Sequence, residues 1–122
     1  MSAVFEGGVT AYSLRQKTVL LGVNEGHAKR VNCVSPRVAR EMARGVTGLF
    51  DSDIGLATTG YAEAAPEHGI ETPVAYWAIY TRSLGVVAEG QVDGAGLTRV
   101  QMQKCVAAKV LAALLEWLAG NR

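Results

Sequence analysis

Apolar positions in this chain switch between two periods, and the switches mark out its elements. Val4 to Tyr12 reads as a strand with Gly7-Gly8 inside it, a place where a bulge forms or where a ligand or second backbone comes close. Ser13 is placed to cap a short helix carrying Lys17, Val19, Leu20 and Leu21, with Gly22 to end it. Ser35 and Pro36 suit the N-cap and first position of a second helix. There Val38, Met42, Val46 and Leu49, flanked by Ala39, Ala43 and Phe50, form one apolar stripe. Arg37, Arg40, Glu41 and Arg44 cover its other side. Gly45 and Gly48 weaken this helix and predict close packing against a sheet.

Ile54 to Thr59 is a short apolar run of buried-strand character, followed by a loop over Gly60 to Thr72. Pro73 to Thr81 and Leu84 to Val92 predict a hairpin turning at Arg82-Ser83, and 93–96 is a linker. In the first of these strands Trp77 and Tyr80 fall on opposite faces, because three residues is an odd step, while Tyr76 shares the face of Tyr80. The last helix runs from about Thr98 to Leu118, with Val106, Val110, Leu114 and Leu118 on one face beside Leu111 and Leu115. Helices flanking buried strands imply a single domain with a three-layer α/β/α sandwich.

Composition narrows the classes. The 122 residues suit one domain, 49% hydrophobic content supplies a core, and 19% charged residues are too few for a disordered chain. Twelve Lys and Arg against eleven Asp and Glu give a net charge of +1, which argues against nucleic-acid binding and against a polybasic membrane anchor. No apolar run approaches the roughly 18 residues that span a bilayer. The start, Met1 to Glu6, lacks a basic region and a long apolar stretch, so a cytoplasmic chain without a signal peptide is expected. Cys33 and Cys105 fit neither a zinc pattern nor a disulfide scaffold and read as small hydrophobes. His27 and His68 lack acidic or cysteine neighbours at ligand spacing, so no metal site is expected.

Two groupings carry candidate chemistry. Tyr12 and Lys17 sit at a strand end and on the following helix, beside Gly7-Gly8. A lysine serves as general base when its surroundings lower its pKa, and a tyrosine hydroxyl can orient it or donate to an oxyanion. The plain alternative is a solvated helix lysine beside an edge aromatic. Thr58-Thr59-Gly60 closes the apolar strand, where hydroxyls and free amides suit a phosphate or ribose. Its plain alternative is a polar strand end entering a loop.

The run Phe5-x-Gly7-Gly8-Val9-x-Ala11-Tyr12-Ser13-x-x-x-Lys17-x-x-Leu20-Leu21-Gly22-Val23 closely resembles the CinA C-terminal domain, the nicotinamide-mononucleotide deamidase family. The likeness continues in Val34-Ser35-x-x-Val38-Ala39-Arg40-Glu41-Met42-Ala43-x-Gly45, in Asp53-x-x-Leu56-Ala57-Thr58-Thr59-Gly60 and in Pro73-Val74. The resemblance implies an α/β/α sandwich and a Ser/Lys amidohydrolase without metal or cofactor. It would convert nicotinamide mononucleotide, a small pyridine nucleotide, to nicotinic acid mononucleotide and ammonia. Lys17 matches the base and Tyr12 the tyrosine beside it; Gly7, Gly8, Thr58, Thr59 and Gly60 match the pocket.

Two departures accompany the likeness. The family's nucleophile lies in a Glu-Ser-Cys-Thr-Gly-Gly motif ahead of the Phe5 block, and this sequence begins after that point, an N-terminal truncation relative to the family. Ser2, Ser13, Ser35, Ser52 and Ser83 match no nucleophile position. A missing strand would also expose an edge for homo-oligomer formation. The Gly-Pro and Gly-rich stretch after Thr-Thr-Gly is replaced by residues 61–69, with Glu63 and Glu67 in it, and Arg99 is only a shifted match to an arginine in the family's last helix. An inactive relative that binds a nucleotide or serves as an interaction module is the alternative to the enzyme.

Overall fold

Alternation in the central strand sorts the molecule into layers. The computed structural model describes residues 6–120. β1 (Ile54–Tyr61), β2 (Val74–Thr81) and β3 (Gly85–Asp93) form, among the described residues, one antiparallel sheet in the order β1-β2-β3. Tyr76, Ala78 and Tyr80 of β2 pack with Ala57 of β1 under helix α3 (Pro36–Phe50), against Val38, Ala39, Met42 and Ala43. Ala75 and Trp77 point the other way, onto Met102 and Val106 of helix α4 (Arg99–Gly120). The chain is thus a three-layer α/β/α domain, and the opposite facing of Trp77 and Tyr80 follows the expected parity. Ile79, Met102 and Val38 are its largest fully buried side chains, each worth about 1.5–3 kcal/mol relative to exposure.

The helix starts follow local chemistry. Ser13 caps α1 (Leu14–Leu21) in a capping box: its hydroxyl accepts from the Gln16 N–H while the Gln16 side chain accepts from the Ser13 N–H, and Gly22 ends the helix with φ +69°. Ser35 caps α3 through the Val38 N–H. A six-residue helix that periodicity did not predict, α2 (Glu25–Arg30), follows Asn24, whose side chain accepts from the His27 N–H. It closes with Asn32 and Cys33 both left-handed and the Cys33 N–H on the Ala28 carbonyl at 2.8 Å, a Schellman ending.

Three expectations change. The strand expected over Val4 to Tyr12 falls partly outside the described residues, and its described part pairs with no strand. Only Ala11 is buried there, so there is no apolar alternation to hold it in a sheet. The N–H groups of Tyr12 and Ser13 turn instead to the Gln16 side chain. Gly45 does pack closely, but against α1: a Cβ there would lie 1.9 Å from the Leu21 carbonyl oxygen, whereas Gly48 faces open space. Finally, α4 buries Met102, Val106 and Val110 but leaves Leu111, Leu115 and Leu118 exposed.

The hairpin carries one bulge. Ile79 pairs with Ala88 and Tyr80 with Val86, leaving Val87 as the extra residue. Arg82, in the turn, donates to the Thr47 carbonyl at 3.1 Å and pairs with Asp51 at 2.9 Å, closing the C-terminus of α3. No helix is long and apolar enough, among the described residues, to cross a membrane.

Candidate functional site

The capping box fixes where Lys17 goes. With Ser13 as N-cap, Lys17 lies in the first turn and a half of α1, and its side chain runs inward. It is 8% exposed, and its Nζ donates to the Ala11 carbonyl at 2.8 Å. The residue is therefore no solvated helix lysine. Tyr12 is 87% exposed, and no hydrogen bond joins its hydroxyl to Lys17. The serine hydroxyls of 13, 35 and 52 are engaged in local caps and turns.

A cleft of about 280 Å³ opens between residues 9–11, the end of α1, α3 and β1. Ala11, whose carbonyl holds Lys17, lines it, as do Met42, Leu56 and Thr58. Gly7 lies on the Phe50 ring, with a Cβ there only 2.6 Å from the ring, and Gly8 is exposed beside it. The strand-end trio diverges. Thr58 faces the cleft, the buried Thr59 donates its hydroxyl to the Cys33 carbonyl at 2.6 Å, and Gly60 lies against Ala75. Of the residues singled out in the sequence, Thr58 lines this cleft and Lys17 reaches it only through its bond to Ala11, while the Tyr12 ring and the Thr59 hydroxyl are directed elsewhere.

A second cleft, of about 430 Å³, lies between the α2–α3 connection, the end of β1 and the 3-10 turn Pro66–His68. Lys29, Arg30, Asn32, Tyr61, His68 and Tyr76 are among its walls. Sequence reasoning missed it because its signal is weak: two basic residues and an asparagine just ahead of the Ser35 cap. Neither Glu63 nor Glu67 lines either cleft, and Glu63 pairs instead with Arg99 at 3.5 Å.

His27 Nε2 is 2.8 Å from the Ser35 hydroxyl, so this histidine supports a helix cap. Cys33 and Cys105 are free and half-buried, each packed against one of the two cores. No three His, Cys, Asp or Glu side chains come together, among the described residues, as a metal site. Burial pushes the Glu41 carboxyl up, but the Asn24 N–H and the Arg37 guanidinium outweigh it and hold the carboxyl below its ordinary value.

The family model for the CinA C-terminal domain matches residues 1–118. A relative in Clostridium kluyveri is 32% identical over 119 residues, 97% of this chain and 27% of its own length. A "CinA-like protein" of Gloeothece citriformis is 40% identical over 95 residues, 76% of this chain and 21% of its own. The chain spans about a quarter of the length of these curated relatives. The crystal structure of competence damage-inducible protein A from Klebsiella pneumoniae superposes with a TM-score of 0.81 at 27% identity, covering 92% of this chain and 68% of that one.

Proposed function

Because the chain belongs to the CinA C-terminal domain family, we propose that it supplies the lysine half of an amidohydrolase site that converts nicotinamide mononucleotide to nicotinic acid mononucleotide and ammonia. The observation that carries this reading is Lys17 itself, a buried lysine whose Nζ donates to the carbonyl of Ala11, a residue in the wall of a cleft. Burial of a lysine against a main-chain acceptor, with no carboxylate paired to it among the described residues, is costly to the fold.

In this reaction a serine hydroxyl attacks the carboxamide carbon while the Lys17 amine takes the hydroxyl proton. The tetrahedral oxyanion collapses with loss of ammonia, to which Lys17 returns the proton. Water then cleaves the ester, giving the acid and restoring the serine. In this reading the Thr58 side chain, in the cleft wall, contacts the nucleotide, and the exposed Gly8 leaves room for the substrate at the backbone. The Tyr12 ring, 87% exposed and without a hydrogen bond to Lys17, favours a second reading: a nucleotide-binding module that keeps the buried lysine without turnover.

Ammonia release from nicotinamide mononucleotide, assayed with the family's Glu-Ser-Cys-Thr-Gly-Gly segment joined ahead of the Phe5 block, separates the two. The amidohydrolase reading expects turnover that disappears in Lys17→Ala. Binding without ammonia release overturns it in favour of the module. The same proposal includes a cytoplasmic homo-oligomer, supported by the outer edge of β1, which has no paired strand among the described residues. Light scattering should give a multiple of the monomer mass, and a monomer at every concentration removes the idea.

A further inference from the structure

We infer that the cleft between the α2–α3 connection and the end of β1 is a second binding site, for a small anion carrying a flat ring. Neither Lys17, Tyr12, Gly7, Gly8 nor Thr58 lines it, so the inference stands apart from the amide chemistry. Its volume of about 430 Å³ is within the range of small-molecule sites. The wall contains two cations and no carboxylate. Lys29 is shared with Glu25 at 3.2 Å on its own helix, but Arg30 makes no ion pair among the described residues. A guanidinium left open beside a concave surface suits a phosphate or carboxylate, which it binds through paired N–H donors.

The ring specificity comes from two aromatic residues of the same lining. Tyr61 and His68 have ring centroids 6.0 Å apart with their planes tilted by 34°. The Tyr61 hydroxyl accepts from the Asn32 side chain, so the ring is pinned to the loop that follows Arg30. That loop is itself held. Asn32 and Cys33 take left-handed φ values of 51° and 63°, and the Thr59 hydroxyl ties the Cys33 carbonyl to β1. Such strain, maintained by surrounding bonds, is what a preorganised binding loop costs. A fixed aromatic pair and a guanidinium with no ion pair among the described residues, lining one cleft, select ligands that have both a ring and a negative charge.

The experiment is amide and histidine-ring NMR of the full chain titrated with adenosine 5′-monophosphate, nicotinate, adenosine and inorganic phosphate. The two anionic ring compounds distinguish phosphate from carboxylate as the preferred anion. At least one should give saturable shifts at Arg30, Asn32, Tyr61 and His68, and bind about tenfold more tightly than adenosine or inorganic phosphate. Arg30→Ala, on an exposed helix position, should keep its spectrum and lose about fivefold or more in affinity. Tyr61→Leu should weaken the ring compounds while leaving inorganic phosphate unchanged. Shifts confined to residues 9–11 and Thr58, binding unchanged in Arg30→Ala, or no saturation at millimolar concentration would each overturn the site.

Discussion

The Nζ of Lys17 donates to the carbonyl of Ala11, six residues earlier, at 2.8 Å. This bond folds the irregular segment before α1 back onto the helix. Its cost is the desolvation of an ammonium whose described partner is a neutral carbonyl. Lys17→Met keeps the stem and removes the charge. Chemical denaturation should show a gain of about 1 kcal/mol, while any ammonia release is lost. A destabilised variant would mean that the hydrogen bond outweighs the buried charge.

Gly45 and Gly48 lie one helical turn apart and should respond in opposite directions. A methyl at Gly45 meets the Leu21 carbonyl oxygen at 1.9 Å, a backbone atom that cannot swing away. Gly45→Ala should cost about 3 kcal/mol or more by forcing α1 off α3. At Gly48 nothing lies within 4 Å, and Gly48→Ala should stabilise by about 0.5–1 kcal/mol. Thermal melts of the two single variants check both signs.

Glu41 joins the N-cap of α2 to α3, accepting from the Asn24 N–H at 2.9 Å and pairing with Arg37 at 3.0 Å. Its folded carboxyl titrates lower than the unfolded one. The contribution is therefore complete above the unfolded carboxylate pKa and is lost as pH falls through the depressed folded value. Stability of the wild type should drop with acid in that window, and Glu41→Gln should flatten the drop. Denaturation midpoints from neutral to strongly acidic pH measure the difference.

Thr59 secures the loop between α2 and α3 through its 2.6 Å bond to the Cys33 carbonyl. Thr59→Val preserves shape but leaves that carbonyl without its donor, at about 1–2 kcal/mol. Hydrogen exchange should quicken around 31–34 before it does in the sheet.

Helices α1 and α3 and the hairpin were legible because their signals are local, whereas the six-residue α2 is too short to show a period. Ser13, Ser35 and Gly22 carry their own capping chemistry, and β2 keeps strict alternation between its two aromatic faces. The segment 7–12 was misread because strand formation depends on a neighbour, and glycines with one buried alanine say nothing about whether a neighbour is there. In α4 the leucines share a stripe with Val110, yet a helix of 22 residues is about 33 Å long and its second half leaves Leu111 and Leu115 exposed. The site divides the same way. The resemblance singles out Lys17, but the atom that holds its Nζ is a main-chain oxygen, which no side-chain motif records. The cleft at Arg30 joins residues as far apart in sequence as Lys29 and Tyr76, a relationship only the fold creates.

The extra residue at Val87 has a consequence for length changes in this hairpin. On one side of it Ala88, Gly90 and Val92 oppose Ile79, Trp77 and Ala75; on the other, Val86 opposes Tyr80. Loss of one residue elsewhere in β3 would turn every later side chain over and bring a new side chain against the Trp77 ring, which a Cβ at Gly90 would already approach to 2.7 Å. Loss of Val87 itself would leave both flanks on their present faces. The bulge is thus the one position in β3 where the gene can drop a codon and still encode the same two-sided sheet.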